Sequence, residues 1–217
     1  MSHVTLVRHG QANTEARDEL SYDRLSELGH QQARWLGEHM RATGEVFARA
    51  YCGTLRRHRE TFAGMDTGLE PVVDARLNEL EYFTMAQLYA EQHGVTLPSD
   101  REGFILHLPQ LFTVWSEGGL EGVPESFADF EARVSEVLHE IAAGEGRALV
   151  VTSGGLIGFA MRSCMGLGMG ALAHACLAVE NSSVHRIQPL ATGLAVTQFN
   201  AVPHLEVAGR AYARTHL

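Results

Sequence analysis

The sequence predicts an α/β domain built on a largely parallel sheet with an antiparallel edge. Three observations carry that expectation. Short apolar runs alternate with longer segments of helical periodicity, and strands separated by helices imply parallel pairing. The run at 147–152 (Arg-Ala-Leu-Val-Val-Thr) is apolar through its centre, as a strand covered on both faces should be. The last two runs, 184–189 and 194–199, alternate around Thr192-Gly193 and read as a hairpin. A length of 217 residues, 45% of them apolar and 20% charged, suits one such domain or one with a modest insertion.

Taken in order, residues 3–8 (His-Val-Thr-Leu-Val-Arg) are β-branched and apolar, end at Gly10, and read as a buried strand. Residues 26–41 place Leu28, Ala33, Leu36 and Met40 at helical spacing behind Ser26, a fitting N-cap. A second short strand is expected at 46–51, followed by Gly53-Thr54 and a polar helix from about Leu55. Residues 84–93 and 103–115 look helical and together form an expected insertion or lid. A helix over 125–143 follows Pro124 and gathers Phe127, Phe130, Val134, Val137, Leu138 and Ile141 on one face. After the strand at 147–152 comes Ser153-Gly154-Gly155 and another helix. The apolar tract from 154 to 179 contains Arg162, His174 and several glycines, so it reads as two short buried helices broken at 166–170 rather than as a membrane span.

Composition removes several classes of function. The seventeen basic residues are all arginine, so no P-loop lysine, Schiff base or Ser-Lys pair exists. A formal charge of −9 with no basic tail argues against nucleic-acid binding, which depends on neutralising phosphates. Three cysteines (Cys52, Cys164 and Cys176) are too few and wrongly spaced for a disulfide framework. With no signal-peptide pattern at the start, a cytoplasmic location is expected. The twelve histidines show no metal-ligand spacing, so no metal or other cofactor is expected. The glycines at 166, 168 and 170 follow no strand and form no dinucleotide fingerprint. No membrane partner is expected.

In an open α/β sheet, ligands bind beyond the carboxyl ends of the strands. There the sequence places Arg8-His9-Gly10, then Arg56-Arg57-His58-Arg59, then Arg76-Leu77-Asn78-Glu79-Leu80-Glu81, and finally Thr152-Ser153-Gly154-Gly155. A histidine among arginines with a carboxylate nearby suits attack on a phosphoryl group. Guanidinium forks bind its oxygens, and imidazole is a competent nucleophile.

Val4-Thr5-Leu6-Val7-Arg8-His9-Gly10-Gln11 resembles the opening of the histidine phosphatase superfamily, which includes the phosphoglycerate mutases. Further stretches resemble it in the same order: Leu25-Ser26-Glu27-Leu28-Gly29-His30-Gln31-Gln32-Ala33, Leu55-Arg56-Arg57-His58-Arg59-Glu60-Thr61, Leu77-Asn78-Glu79, Glu125-Ser126 with Arg133, and Asn200 with His204-Leu205. The resemblance implies a three-layer α/β/α sandwich with a mostly parallel central sheet, one domain over 1–217 with a helical insertion at about 82–122. It implies His9 as nucleophile, Arg8 and Arg57 as phosphate ligands, and Glu79 as proton donor, with Glu81 the second candidate. A small phosphorylated molecule is the implied partner, and a phosphatase is favoured over a mutase because the chain is short and no mutase-like cap reads clearly.

Where the family carries its second histidine, this chain has Ser153, which donates a hydrogen bond but holds no positive charge. Ser153 and Gly154 are nonetheless expected to line the phosphate site. His58 and His185 are candidates for the missing cation, with a surface or core position the commoner fate of such histidines; Arg56 and Arg59 suit a solvated helix face. Glu15 occupies a place where the family often has asparagine, with Asn13 close by. Tyr82, Phe83, Phe104 and Trp115 are core residues or the lining of a lid. Two other readings use the same residues. One is a phosphate-binding module impaired by Ser153. The other is a serine hydrolase with Ser153 on a strand-to-helix elbow, although Val151 stands where that elbow needs glycine.

Overall fold

In a computed structural model, described over residues 3–216, the six strands form a single sheet in the order β3-β2-β4-β1-β5-β6. The strands are β1 (Val4–Arg8), β2 (Arg49–Cys52), β3 (Val72–Val73), β4 (Ala148–Thr152), β5 (Val184–Leu190) and β6 (Gly193–Ala201). The first four run parallel to one another, while β5 pairs antiparallel with both β1 and β6. The expected parallel sheet with an antiparallel hairpin at one edge is therefore present.

Helices cover both faces, and alternation along the central strands decides which residue meets which layer. Val7 of β1 and Leu149 and Val151 of β4 pack with Leu36, Met40, Phe62 and Met65 of α2 (Glu27–Ala42) and α3 (Arg56–Met65). Their sequence neighbours Val4, Leu6, Ala148 and Val150 face the larger core. That core is built by α5 (Arg101–Ser116), α6 (Phe127–Ala143), α7 (Gly154–Met165) and α8 (Met169–Ala178), where Phe112, Trp115, Phe127, Phe130 and Phe159 meet edge to face. Two further helices, α1 (Glu19–Tyr22) and α4 (Tyr82–His93), stand near the carboxyl ends of the strands.

Most helix starts follow the sequence. Ser26 caps α2 through Gly29 N–H, and Ser126 caps α6 through Asp129 N–H. The stretch from 154 to 178 is indeed two helices, separated by Gly166 in the left-handed conformation. β2 starts at Arg49 rather than 46, because Val46 is exposed and lies outside the ladder. α5 runs through Pro109, which sits on its half-exposed side. Neither α1 nor β3 was expected: the first is a single turn, and the second is two exposed valines with no apolar alternation to betray them.

α2 and α3 cross with almost no gap. A Cβ on Gly37 would stand 1.8 Å from the Met65 carbonyl oxygen, a backbone atom with nowhere to go. Gly37→Ala should therefore destabilise the fold by about 2–3 kcal/mol and lower the melting temperature by roughly 4–10 °C. Gly170→Ala in α8, which meets nothing within 4 Å, should be neutral or stabilising. Differential scanning calorimetry of the two variants checks the contrast.

Candidate active site

The register of β1 against β4 pairs Arg8 with Thr152, so that Arg8-His9 and Ser153-Gly154 leave the sheet side by side. β2, next along, delivers Gly53 and then the first turn of α3. A cavity of about 490 Å³ opens at these strand ends. Its wall includes Arg8, Arg57, Glu79 and Gly154. His9 is buried behind this wall, in edge-on contact at 6.3 Å with the ring of Tyr22, which lines the cavity.

The turn after β1 is held by backbone packing. Gly10 and Gly29 press together so closely that a Cβ on Gly10 would stand 2.4 Å from Gly29 O, which explains a glycine in each motif. Gly10 N–H donates to Thr61 Oγ1, and that hydroxyl donates to Arg57 O, so the turn after β1 and α3 are tied together. His9 Nδ1 lies 2.7 Å from Gly10 O. A carbonyl only accepts, so Nδ1 carries the proton and Nε2 is left with the lone pair. Burial first, then the charges of Arg57 and Arg8, holds this imidazole well below its ordinary pKa.

Each guanidinium is anchored at one side and open at another. Arg8 donates through Nη1 to Val179 O and to His216 O. Arg57 donates through Nη1 to Asp23 Oδ1 at 3.1 Å and lies over the Tyr22 ring at 5.0 Å. The Nε–H of both arginines is buried without an acceptor among the described residues. Buried donors of this kind are costly when unpaired, so the arrangement suits capture of a tetrahedral oxyanion. Gly154 adds a place for close approach: its Cβ position is 3.4 Å from Arg8 Nε.

Glu79 sits in a loop tied at several points. Leu77 O accepts from Thr152 Oγ1, Asn78 exchanges hydrogen bonds with Thr54, and Asn78 O accepts from Arg133. Arg133 is itself locked to Glu125 by a bidentate pair at 2.7 and 2.9 Å. The Glu79 carboxylate accepts from Gly155 N–H at 2.8 Å and from Leu80 N–H. A Cβ on Gly155 would stand 2.2 Å from Glu79 Oε1, so the second glycine after Ser153 is what admits the carboxylate. Glu81 is exposed and bonds Thr84.

The structure thus brings together Arg8, His9, Arg57, Glu79, Ser153 and Gly154. Arg56 and Arg59 are exposed, as expected of a solvated face. Asn13 bonds within its own loop to Ser21 O and Glu15 N–H, while Glu15 is exposed. His185 is a core residue, bonded to Ser183 Oγ and Asn200 N–H. His58 is different: fully buried, it lies 5.7 Å ring to ring from His9, with Nε2 2.6 Å from Ser153 Oγ. Trp115 belongs to the aromatic core, whereas Tyr82, Phe83 and Phe104 line the cavity.

Three residues of the site carry no motif. Asp23 accepts from the N–H groups of Arg56 and Arg57, replacing the side-chain cap that Leu55 cannot give α3. Tyr22 covers Arg57. Glu19 lines the cavity and accepts from Phe83 N–H; burial, assisted by Glu81 and Glu79, raises its pKa. Their one sequence signal is the Asp18 cap of a single helical turn.

The family model described as histidine phosphatase superfamily (branch 1) matches residues 4–202. A probable phosphoglycerate mutase of Erwinia tasmaniensis is 28% identical over 217 residues, which span 95% of this chain and 96% of that protein. A phosphoserine phosphatase from Entamoeba histolytica, solved with 3-phosphoglyceric acid, superposes with a TM-score of 0.68 at 16% identity, covering 94% of this chain and 100% of that one. A phosphoglycerate mutase from Bacillus anthracis gives 0.65 at 20% identity, covering 94% of each. No helix among the described residues is long and apolar enough to cross a membrane.

His9, His58, His185 and His204 are all buried, and burial is the first cause of each lowered pKa, to about 3 for His185 and His204. The unfolded chain binds their protons from about pH 6.5 downward while the folded chain does not. Stability should therefore be at its plateau above pH 6.5 and fall on acidification towards pH 3, with a slope of up to about 1.4 kcal/mol per pH unit for each histidine. Urea denaturation between pH 8 and pH 4 should show this loss; a flat profile would contradict the buried neutral state.

Proposed function

The chain belongs to the histidine phosphatase superfamily, and from that premise we propose that it hydrolyses phosphoric monoesters through a phosphohistidine on His9. The observation that carries the reading is the neutral imidazole beside two guanidinium groups whose Nε–H donors have no acceptor among the described residues. The phosphoryl oxygens lie between Arg8 and Arg57 and against Gly154. His9 Nε2 attacks phosphorus in line, the P–N bond forms as the ester P–O bond breaks, and Glu79 gives its proton to the leaving oxygen. Water then attacks the phosphohistidine, its proton passes to Glu79, and phosphate departs with the lone pair restored to Nε2. The arginines supply fixed charge throughout, since guanidinium keeps its proton.

The rest of the cavity favours an aromatic or apolar alcohol as the leaving group. From His9, rings follow one another outward: Tyr22, Phe83 at 5.8 Å, Tyr82 at 5.8 Å and Phe104 at 5.0 Å. Beyond the two phosphate arginines the cavity's charged groups are Glu19, Glu79, Asp100 and Arg101, which leaves a second anion on the substrate facing mainly carboxylates.

The wild-type protein should release phosphate from p-nitrophenyl phosphate with a kcat/KM well above that for 3-phosphoglycerate. His9→Ala should abolish turnover of both, and Phe83→Ala should raise KM for the aryl ester several-fold with little change in kcat. Turnover that survives His9→Ala would sink the phosphohistidine mechanism. A preference for 3-phosphoglycerate would overturn the leaving-group assignment alone.

A further inference from the structure

We propose that His58 acts as a positioning residue that aims the Ser153 hydroxyl at the transferring phosphoryl group. The inference rests on the phosphoryl-transfer reading of the site. It begins with proton placement. His58 is fully buried beside Arg57, and burial together with that charge keeps it neutral, with one proton for two nitrogens. Nδ1 has no hydrogen-bond partner among the described residues. A proton there would leave a buried N–H donor unpaired, whereas a proton on Nε2 is accepted by Ser153 Oγ at 2.6 Å. Nε2–H therefore donates to Ser153.

That bond fixes what Ser153 can do. Its oxygen is occupied by the imidazole donor, so its own hydrogen must point elsewhere. Ser153 stands at the N-cap of α7 but makes no side-chain cap bond, and among the described residues its hydroxyl has no other partner. The next residue, Gly154, is part of the cavity wall against Arg8. The hydroxyl hydrogen is thus left for an oxyanion held at the strand ends, and His58 denies it the alternative of donating to imidazole.

The space for this arrangement is prepared in the chain. A Cβ on Gly53 would stand 2.2 Å from His58 Nδ1, so glycine at that position makes room for the ring. Both His58 and Ser153 are completely enclosed. A histidine added at 153 with His58 still present would be overpacked.

The test measures kcat and KM for p-nitrophenyl phosphate, and separately the affinity for orthovanadate by calorimetry, in Ser153→Ala, His58→Ala, His58→Gln and the two double variants H58A/S153A and H58A/S153H. Ser153→Ala breaks no cap and should lower kcat by roughly 100-fold with KM little changed and weaken vanadate about tenfold. His58→Ala should lose a similar factor, and H58A/S153A should be no worse than either single change. His58→Gln, which keeps an N–H donor, should recover part of the loss. H58A/S153H, which exchanges one buried imidazole for another, should recover most of it. A Ser153→Ala variant within twofold of wild type, or single losses that multiply in the double variant, would overturn the proposal. The vanadate arm decides it even if the wild type releases no phosphate, in which case the catalytic reading fails by itself. Turnover that persists in His9→Ala would likewise count against that reading only.

Discussion

Everything at the strand ends depends on one register: Arg8 opposite Thr152 in the parallel pairing of the two central strands. A parallel pair cannot be closed by a short turn, so its two chain ends meet only because long helical crossovers bring them back. Here that pairing sets the turn that carries His9 beside the first turn of α7. It also places Thr152 where its hydroxyl can hold Leu77 O. A one-residue slip would exchange the faces of β4, sending Leu149 and Val151 into the wrong core. The packing of two distinct apolar layers therefore polices the alignment of the polar groups above them.

Three of the polar groups are in turn held by backbone, while Arg57 leans on Asp23 and Ser153 on His58. Glu79 accepts from two main-chain N–H groups, Arg8 is anchored on main-chain carbonyls, and His9 is oriented by the carbonyl of the next residue. Backbone partners cannot rotate away or titrate, so these three groups are set before any ligand arrives. Arginine completes the effect, because its charge persists even where burial drives the neighbouring imidazoles to neutrality. The outcome is fixed positive charge beside a neutral imidazole, two conditions that would exclude each other if the same residue type had to supply both.

Much of this was legible in the sequence because it lies on regular elements. The strand at 148–152, the Ser26 cap, the broken helix pair and the terminal hairpin follow from periodicity and glycine placement. His9, Arg8, Arg57, Glu79 and Ser153 were visible as chemistry just past apolar runs. What escaped is what has no period. Glu19, Tyr22 and Asp23 come from a single turn in a loop, and their value lies in contacts with residues far along the chain, Asp23 with Arg57 and Glu19 with Phe83. Val72 and Val73 are exposed and too few to alternate. His58 was visible as a histidine beside an arginine, but its partner lies 95 residues away and only folding shows the pair.

The enclosed contact between positions 58 and 153 has a consequence for how such a site changes over generations. Both side chains are fully buried and in contact, and the two positions hold one imidazole between them. Starting from this chain, adding the second ring first overfills the space, and removing the first ring first leaves a hole and an unguided hydroxyl. Either order crosses a disadvantaged intermediate, so the tolerance of one position is contingent on the occupant of the other. Substitutions judged singly at these two places would misreport what the pair permits.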